Sequence, residues 1–514
     1  MTGVQTCALP ILLGLPTRLG KNLMTIDPFT TRQWEYSFYV RDKWQIGPKW
    51  TLSFGTRWEY FPVPTRADRG LERYDPNTNK IQIGGLGAIP RDLGVQVSKS
   101  MFAPRFGFAY RATSTMVVRG GYGLTNDPYS MARAMRTNYP VIIELDRNAP
   151  NSWLPVGRLE DGIPPIPVPD LGNGLLDIPL VVSATTLPDN FRRGYIQSWN
   201  LTVQKELRYG FVGELGYVAS RQVRQLGSLE LNWAPIGAGQ AGQQLVRRFG
   251  RTANTRLVSP LGGTHYDSLQ ARLERRFRAG LFVQTAYTWG KSITNSGTDN
   301  SDGTPRIAIP DYYSLNRALS GFDRTHNLQI SYIAELPFGR GKRYLKDTKL
   351  LTALLGGWQT NGILSFYTGA PFSVTASGTS LNAPGSSQRA DQIRPEVKKL
   401  GGVGPGQAFF DPVAFAPVND RRFGTAGFNS LRGPGVANWD FGLYRNFSLT
   451  ERWKLQFRMD SYNFTNTPHF GNPGANVSNL RLNPDCTVRD LNGFSEILSA
   501  SGERQFRFGF RVNW

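Results

Sequence analysis

Three histidines, His265, His326 and His469, and two cysteines, Cys7 and Cys486, are the residues with which this 514-residue chain could hold a metal or build an activated nucleophile. Such chemistry needs these groups in pairs or at short, regular spacing. Here they are scattered, and two cysteines make neither a disulfide framework nor a zinc cage. Gly401-Gly-Val-Gly-Pro-Gly406 could cradle a phosphate, but no strand-turn-helix pattern surrounds it and Pro405 argues for a plain loop. Asp299-Asn-Ser-Asp-Gly303 begins like a calcium loop and lacks the Glu that would close it, so it reads as a polar loop. Gly339-Arg-Gly-Lys342 lacks both the spacing of a P-loop and the hydroxyl residue after its lysine, and reads as a basic turn. No Ser-His-Asp set or carboxylate pair can be assigned. The expectation is a protein that is not an enzyme and uses no cofactor.

The charged residues show a different regularity, a period of two. Arg57 and Glu59, Gln204, Arg272 and Glu274, Arg458 and Asp460, and Arg507 and Arg511 each stand next to at least one apolar residue, in phase with the polar positions of their segments. Successive side chains of a strand point to opposite faces, so these residues gather on the wet face of strands whose other face is oily. They are candidates to line an aqueous lumen and meet a solute there. The alternative is a polar interior whose charges simply pair with one another.

The elements that would position them are legible from the same alternation. The last residues give the cleanest case: Phe506, Phe508, Phe510, Val512 and Trp514 lie on one face, with Arg507, Gly509, Arg511 and Asn513 on the other. That is a strand of membrane-spanning length ending on an aromatic residue, the pattern of a transmembrane barrel strand. The pattern recurs from Trp34 to Val40, Trp50 to Tyr60, Phe106 to Tyr110 and Val118 to Leu124. It continues at Tyr195 to Val203, Phe211 to Tyr217, Leu269 to Leu273 and Val283 to Trp289. Leu328 to Leu336, Trp358 to Phe366, Trp439 to Leu443 and Leu455 to Met459 follow, and the terminal strand brings the count to about thirteen. Pro104, at the start of the third strand, is tolerable only near a strand end.

Short and long connections alternate between these strands. Outer-membrane barrels join strands by short periplasmic turns and long extracellular loops, and a soluble sandwich has no reason to sort its loops this way. The fold expected is therefore an all-β, antiparallel transmembrane β-barrel, seen in part. Its carboxyl terminus would face the periplasm, with Trp44, Trp50 and Trp453 in the inner aromatic girdle and Trp58 and Tyr60 in the outer one. The stretch from Pro337 to Gly357 is an unusually long short-side connection. An odd strand number implies further strands, since an unclosed barrel in lipid leaves edge hydrogen bonds unmade.

Composition agrees. Hydrophobic residues make up 40% of the chain and aromatics 12%, and no apolar run reaches the length of a spanning helix. The net charge of +21 suggests a nucleic-acid partner at first sight. The basic residues form no block, however, and their interleaving with aromatics has period two. A polar lumen and loops facing anionic lipopolysaccharide account for the charge, and no nucleic-acid partner is expected. Residues 1–15 are read as a non-native or disordered leader, because Met1-Thr-Gly-Val-Gln-Thr-Cys-Ala-Leu-Pro-Ile11 resembles the translation of a sequencing-library adapter. They lack the basic start and long apolar stretch of a signal peptide. Residues 16–514 are read as the barrel unit.

Five segments carry a family resemblance. Thr31-Arg-Gln-Trp-Glu-Tyr-Ser-Phe-Tyr-Val-Arg-Asp-Lys-Trp44, Phe102-Ala-Pro-Arg-Phe-Gly-Phe-Ala-Tyr110, Tyr287-Thr-Trp-Gly-Lys-Ser292, Glu335-Leu-Pro-Phe-Gly-Arg-Gly341 and Asp460-Ser-Tyr-Asn-Phe-Thr-Asn466 resemble the barrel of TonB-dependent receptors. The nearest branch is the Oar-like one, whose members often carry a carboxypeptidase-regulatory-like domain. The resemblance spans nearly the whole chain after Pro16. It implies a Gram-negative outer-membrane receptor of about twenty-two strands, with a plug, a TonB box and energy delivered through TonB. This chain would supply the carboxyl-terminal barrel portion; no plug can be pointed to in it. The resemblance further implies that Phe506, Phe508, Phe510, Val512 and Trp514 form the lipid-facing assembly signal read by the barrel-assembly machinery. The expected function is binding and energised uptake of a scarce solute: a siderophore, an oligosaccharide, a cobalamin-like compound or a peptide. A plugless porin or a surface adhesin on the same barrel is the alternative. A soluble β-rich glycan-binding protein is a third reading, and it requires the oily faces to pack against another sheet.

Overall fold

The computed structural model describes residues 14–16, 18–26, 30–127, 131, 135, 136, 138–148, 155–296, 305–339, 342–345, 349–448 and 450–514. Cys7, Trp153, the stretch 299–303, residues 340 and 341, and most of the expected leader lie outside them.

Thirteen strands follow one another in chain order along a single antiparallel sheet: β1 (Tyr36–Ile46), β2 (Trp50–Tyr60), β3 (Met101–Arg111), β4 (Met116–Asn126), β5 (Tyr195–Glu206), β6 (Phe211–Glu230), β7 (Thr255–Arg278), β8 (Leu281–Thr294), β9 (His326–Glu335), β10 (Trp358–Tyr367), β11 (Val436–Ser448), β12 (Lys454–Tyr462) and β13 (Gln505–Asn513). Two short strands, Ala184–Thr186 and Ala318–Leu319, attach off this path to β7 and β8. Each of the thirteen overlaps one alternating segment read from the sequence. Eleven residues rise about 36 Å, and a tilt of about 45° brings that to the thickness of a membrane's apolar band.

The registers align the oily residues. Leu201 lies opposite Tyr217, Tyr217 opposite Leu269, and Leu269 opposite Trp289. At the sheet's ends Phe38 faces Trp58 and Met459 faces Phe508. A one-residue slip would exchange the two faces, so this uniform phase over thirteen strands is a strong constraint. The oily row is bare: Leu201 and Trp289, in the middle of the sheet, are 52% and 54% exposed. Among the described residues no second sheet covers this face, which removes the sandwich reading. An apolar surface of this extent requires a nonaqueous neighbour. Asp42 is an exception on the oily face, set opposite Phe54; its carboxylate accepts a hydrogen bond from the Trp44 indole N–H at 2.5 Å. Pro104 pairs with Thr56 of β2, but β4 joins β3 only from Arg105 onward, so the proline sits where one ladder has not begun.

Short connections (47–49, 112–115, 207–210, 279–280, 336–357, 449–453) leave one end of the sheet, and long ones (61–100, 127–194, 231–254, 295–325, 368–435, 463–504) leave the other. The connection 336–357 contains a helix, α2 (Lys349–Leu355), after α1 (Gln244–Phe249) in the third long connection. No helix among the described residues is long and apolar enough to cross a membrane.

Two expectations are corrected. β6 and β7 run to 20 and 24 residues, well past the segments read from alternation. Beyond the oily band both faces meet water or loops, so period two disappears from the sequence while backbone pairing continues through a bulge at Val223–Gln225. The long connections, read as irregular or polar loops, hold the molecule's buried cores. Phe372, Phe410, Phe415 and Phe494 pack together from the fifth and sixth long connections. Leu71, Met131, Met135 and Phe191 join the first and second, where they meet Leu226 and Val258 at the tops of β6 and β7. Tyr74, Ile81, Leu176 and Leu245 join the first three, and Ile307, Leu381 and Phe428 join the fourth and fifth. The loops thus form one folded cap.

Buried charges cross-link the cap. Arg66 and Glu72, both almost wholly buried, pair at 2.5 Å, and Arg66 also donates to the Arg136 carbonyl. Arg251 is fully buried and donates to Thr255 Oγ1, the Pro179 carbonyl and the Val182 carbonyl, while its guanidinium lies 4.8 Å over the Tyr74 ring. Burial pushes its pKa down. Asp391 accepts both Arg422 Nη groups at 2.8 and 2.7 Å and the Thr425 N–H at 3.1 Å. The Arg422 hydrogen bonds hold this carboxyl below the usual aspartate range. A carboxylate with a lowered folded pKa stabilises above its unfolded pKa of about 4, and the contribution is lost as pH falls through the folded value. Hydrogen exchange around Thr425, corrected for intrinsic rate, is expected to show local opening on acidification below about pH 4, and Arg422→Gln should open the same segment already at neutral pH.

Candidate functional site

The expected lumen residues all fall on the polar face of the sheet. β2 contributes Arg57 and Glu59 opposite Ala103 and Met101, β5 contributes Gln204, β7 contributes Arg272 and Glu274, β12 contributes Arg458 and Asp460, and β13 contributes Arg507 and Arg511. Their side chains share a face because each is in register with its neighbours' polar positions.

Three pairs repeat one geometry: an arginine and an acid two residues apart on one strand, bridged at 2.8 Å (Arg57–Glu59), 2.5 Å (Arg272–Glu274) and 2.7 Å (Arg458–Asp460). Residues i and i+2 stand on the same face, and the arginine stem spans the gap. Glu59 also accepts from Asn126 Nδ2 at 2.9 Å, and Gln204 Oε1 accepts from Arg119 Nη1 at 2.7 Å. These charges are mutually satisfied, which favours the paired-interior reading for them. A half-exposed pair of this kind contributes about 1 kcal/mol or less. Arg458→Gln should therefore shift the urea midpoint only marginally, and a large loss would show that the pair is structural.

Arg507 and Arg511 are not paired in this way. The Arg507 guanidinium lies 5.0 Å over the Tyr462 ring. Arg511 has no hydrogen-bond or ion-pair partner among the described residues.

Residues that the sequence reading passed over complete the site. Arg41 of β1 and Arg105 of β3 both stand opposite Gly55 of β2. With no side chain between them, a cleft of about 490 Å³ opens, lined by Tyr39, Arg41, Gly55, Arg57, Arg105 and Gly107. Neither Arg41 nor Arg105 has a side-chain partner among the described residues. The signal was available, since both share the polar parity of Arg57. A second cleft of about 290 Å³ brings Asp440 and Asp460 together with Ser331, Asn361 and Tyr462. No group of three or more His, Cys, Asp and Glu residues is placed to hold a metal among the described residues.

The aromatic residues sort by height. At the short-turn end Trp50 stacks on Tyr110 (4.3 Å), Trp453 on Trp514 (5.9 Å), and Trp44 meets Phe54 edge-on (4.8 Å). At the loop end Trp58 stacks on Phe38 (5.8 Å) and Tyr60 on Tyr36 (6.1 Å). Two aromatic bands thus bound the oily face.

A family model described as "Outer membrane beta barrel domain" matches residues 9–507. Among solved structures the chain is similar to the ferric citrate transporter FecA (11% identity, TM-score 0.42, covering 94% of this chain and 45% of that one). It is also similar to the ferripyoverdine receptor of the outer membrane of Pseudomonas aeruginosa (10%, 0.43, 95% and 39%) and the outer membrane transporter YddB from Escherichia coli (10%, 0.44, 94% and 54%). The chain spans only about two fifths to just over half of the length of these structures. No curated protein sequence matches it.

Proposed function

Since this chain belongs to the outer membrane beta barrel domain family, we propose that it is the lipid-embedded wall and extracellular cap of a TonB-dependent receptor-type transporter, which binds a scarce solute and admits it with energy from the inner membrane. The observation that carries this reading is the union of two features. One is a thirteen-strand sheet with a bare oily face and a charged face. The other is a set of long connections folded into a cap over one end. A plain diffusion pore has no need of six long connections with their own hydrophobic cores and buried ion pairs; a selective receptor needs a surface of fixed shape. No covalent step is part of this function.

In this reading the polar face lines the lumen, and the short turns and the carboxyl terminus face the periplasm. Among the described residues β1 and β13 do not pair with one another. In lipid their free edges must be satisfied, so strands outside this sheet close the barrel, with the plug and TonB contact also outside it. Membership of the Oar-like branch and delivery by the barrel-assembly machinery through β13 belong to the same proposal. Unpaired Arg41 and Arg105 favour a solute bearing carboxylate or phosphate groups. Siderophores, acidic oligosaccharides, cobalamin-like compounds and acidic peptides are the classes to test.

The experiment is uptake of radiolabelled members of these classes by cells expressing the full-length gene, with and without a protonophore. Saturable uptake that the protonophore abolishes supports energised import. Non-saturable, protonophore-insensitive entry supports the porin instead. Surface binding of cells or matrix without entry supports the adhesin.

A further inference from the structure

The oily face carries basic residues at both of its ends: Lys205, Arg275 and Arg445 stand near the short turns, and a denser cluster stands just above its outer aromatic band. Trp199 lies opposite Ala219, Ala219 opposite Asp267, and Asp267 opposite Lys291. One row further toward the cap, Arg221 lies opposite His265, and His265 opposite Ile293. Ile293 in turn pairs with Leu319, and Arg317 lies just before this two-residue strand, at the end of a 3-10 turn. Arg224 occupies the bulge in β6 with a positive φ of 54°, and its guanidinium lies 5.4 Å over the Tyr195 ring. Around these residues opens a cleft of about 280 Å³, lined by Arg221, Arg224, Gly263, His265, Asn295 and Arg317. Gly263 leaves its floor without a side chain; a Cβ there would meet the Gln222 carbonyl oxygen at 2.9 Å.

Arg221, Lys291 and Arg317 are exposed and have no side-chain partner among the described residues. The one carboxylate the registers place beside them, Asp267, accepts a 2.5 Å hydrogen bond from the Tyr217 hydroxyl. Unpaired arginines are unfavourable on a face that meets hydrocarbon and are stabilised at headgroup height by phosphate, which a guanidinium binds bidentately. We infer that this cleft binds the phosphate groups of an outer-leaflet glycolipid, seating the lipid's sugar headgroup against the cap and its acyl chains along the oily face below. The inference rests on the sheet being a membrane wall but not on solute import. It deepens the chain's contact with lipid from a general solvent role to a defined site.

The test uses the full-length protein in detergent and three probes: lipid A, dephosphorylated lipid A and inorganic phosphate. Binding is read by microscale thermophoresis. Lipid A is expected to bind at least tenfold more tightly than its dephosphorylated form. Each arginine near a charged membrane surface contributes about fivefold, so R221Q/R317Q should lower lipid A affinity by roughly twentyfold and erase the difference between the two lipids. R221K/R317K should retain most of it. Equal binding of the two lipids, or an unchanged R221Q/R317Q, overturns the proposal. Displacement of lipid A by equimolar inorganic phosphate assigns the cleft to free phosphate and also overturns it. Flotation with lipid vesicles on the same preparations reports the wall reading separately, because both substituted residues are exposed and their loss leaves the sheet and cap cores intact.

Discussion

Arginine in place of Leu201 will keep the protein out of the outer membrane, whereas arginine in place of its neighbour Asn200 will not. The two residues are adjacent on β5 and point to opposite faces: Leu201 continues the oily row through Tyr217, and Asn200 lies opposite Gly121 and Val218 on the polar side. Both are exposed in the isolated chain. In water, exchanging either would change stability by no more than about 0.5 kcal/mol. In a bilayer, a charge on the lipid face near mid-depth costs about 2–4 kcal/mol, while a change on the lumen face is accommodated. The expected result is loss of Leu201→Arg from the outer-membrane fraction and of its heat-modifiable migration, with Asn200→Arg assembling normally. Equal behaviour of the two variants would sink the assignment of faces.

Removing Glu72 will loosen the cap while leaving the wall standing. Glu72 is wholly buried and takes both Arg66 and Arg69, at 2.5 and 3.3 Å. Glu72→Ala strands the Arg66 guanidinium in the cap interior without its counter-charge. Breaking a buried pair from one side costs about 3–5 kcal/mol. The effect is confined to the cap because Glu72 lies in the connection between β2 and β3, and Asn138, which donates to the Glu72 carbonyl, and Arg136, whose carbonyl accepts from Arg66, belong to the next connection. Hydrogen exchange should rise across 61–100, 138–148 and 155–194 with the ladders of β1 to β5 protected as before. Solute binding should weaken with it, since the proposed receptor surface depends on the cap's shape. Loss of the whole protein from the membrane would instead mean that cap and wall fold as one unit.

What could be read from the sequence follows the solvent. Where lipid meets one face and water the other, selection on each side chain alternates, and all thirteen strands announced themselves; Phe506 to Trp514 is the plainest case. The nine expected polar-face residues followed from the same parity, and Arg41 and Arg105 could have been found by extending it one residue at a time from Arg57. Above the apolar band the alternation stops, so the upper halves of β6 and β7 were invisible although the chain stays paired there. The cap was harder still. Phe410 meets Phe494 across more than eighty residues, and Arg251 gathers carbonyls from residues about seventy positions away. Contacts of that separation leave no local period, and the glycines and prolines that shape such loops look the same in an unfolded stretch.

The basic character of the chain also finds a structural division. Some arginines pair with acids on the polar face, some are buried in the cap as cross-links between connections, and some, Arg41, Arg105, Arg511 and those around Arg221 among them, stand without an ion-pair partner among the described residues. Only the last group is left to attract an anionic solute or lipid. A net charge alone could not distinguish these uses, because it counts a guanidinium sealed against Glu72 the same as one facing an open cleft.

The most direct test is a cysteine scan along β5, from residue 198 to 203, in full-length protein whose other cysteines, Cys486 among them, have been replaced by serine. Each cysteine is given a nitroxide label in outer membranes and probed with a lipid-soluble and a water-soluble relaxant. The account predicts strict alternation: positions 199, 201 and 203 respond to the lipid-soluble reagent, and 198, 200 and 202 to the aqueous one. Uniform access to the aqueous reagent at all six positions would contradict it, because a wall with lipid on one side and a wet lumen on the other could not produce that result.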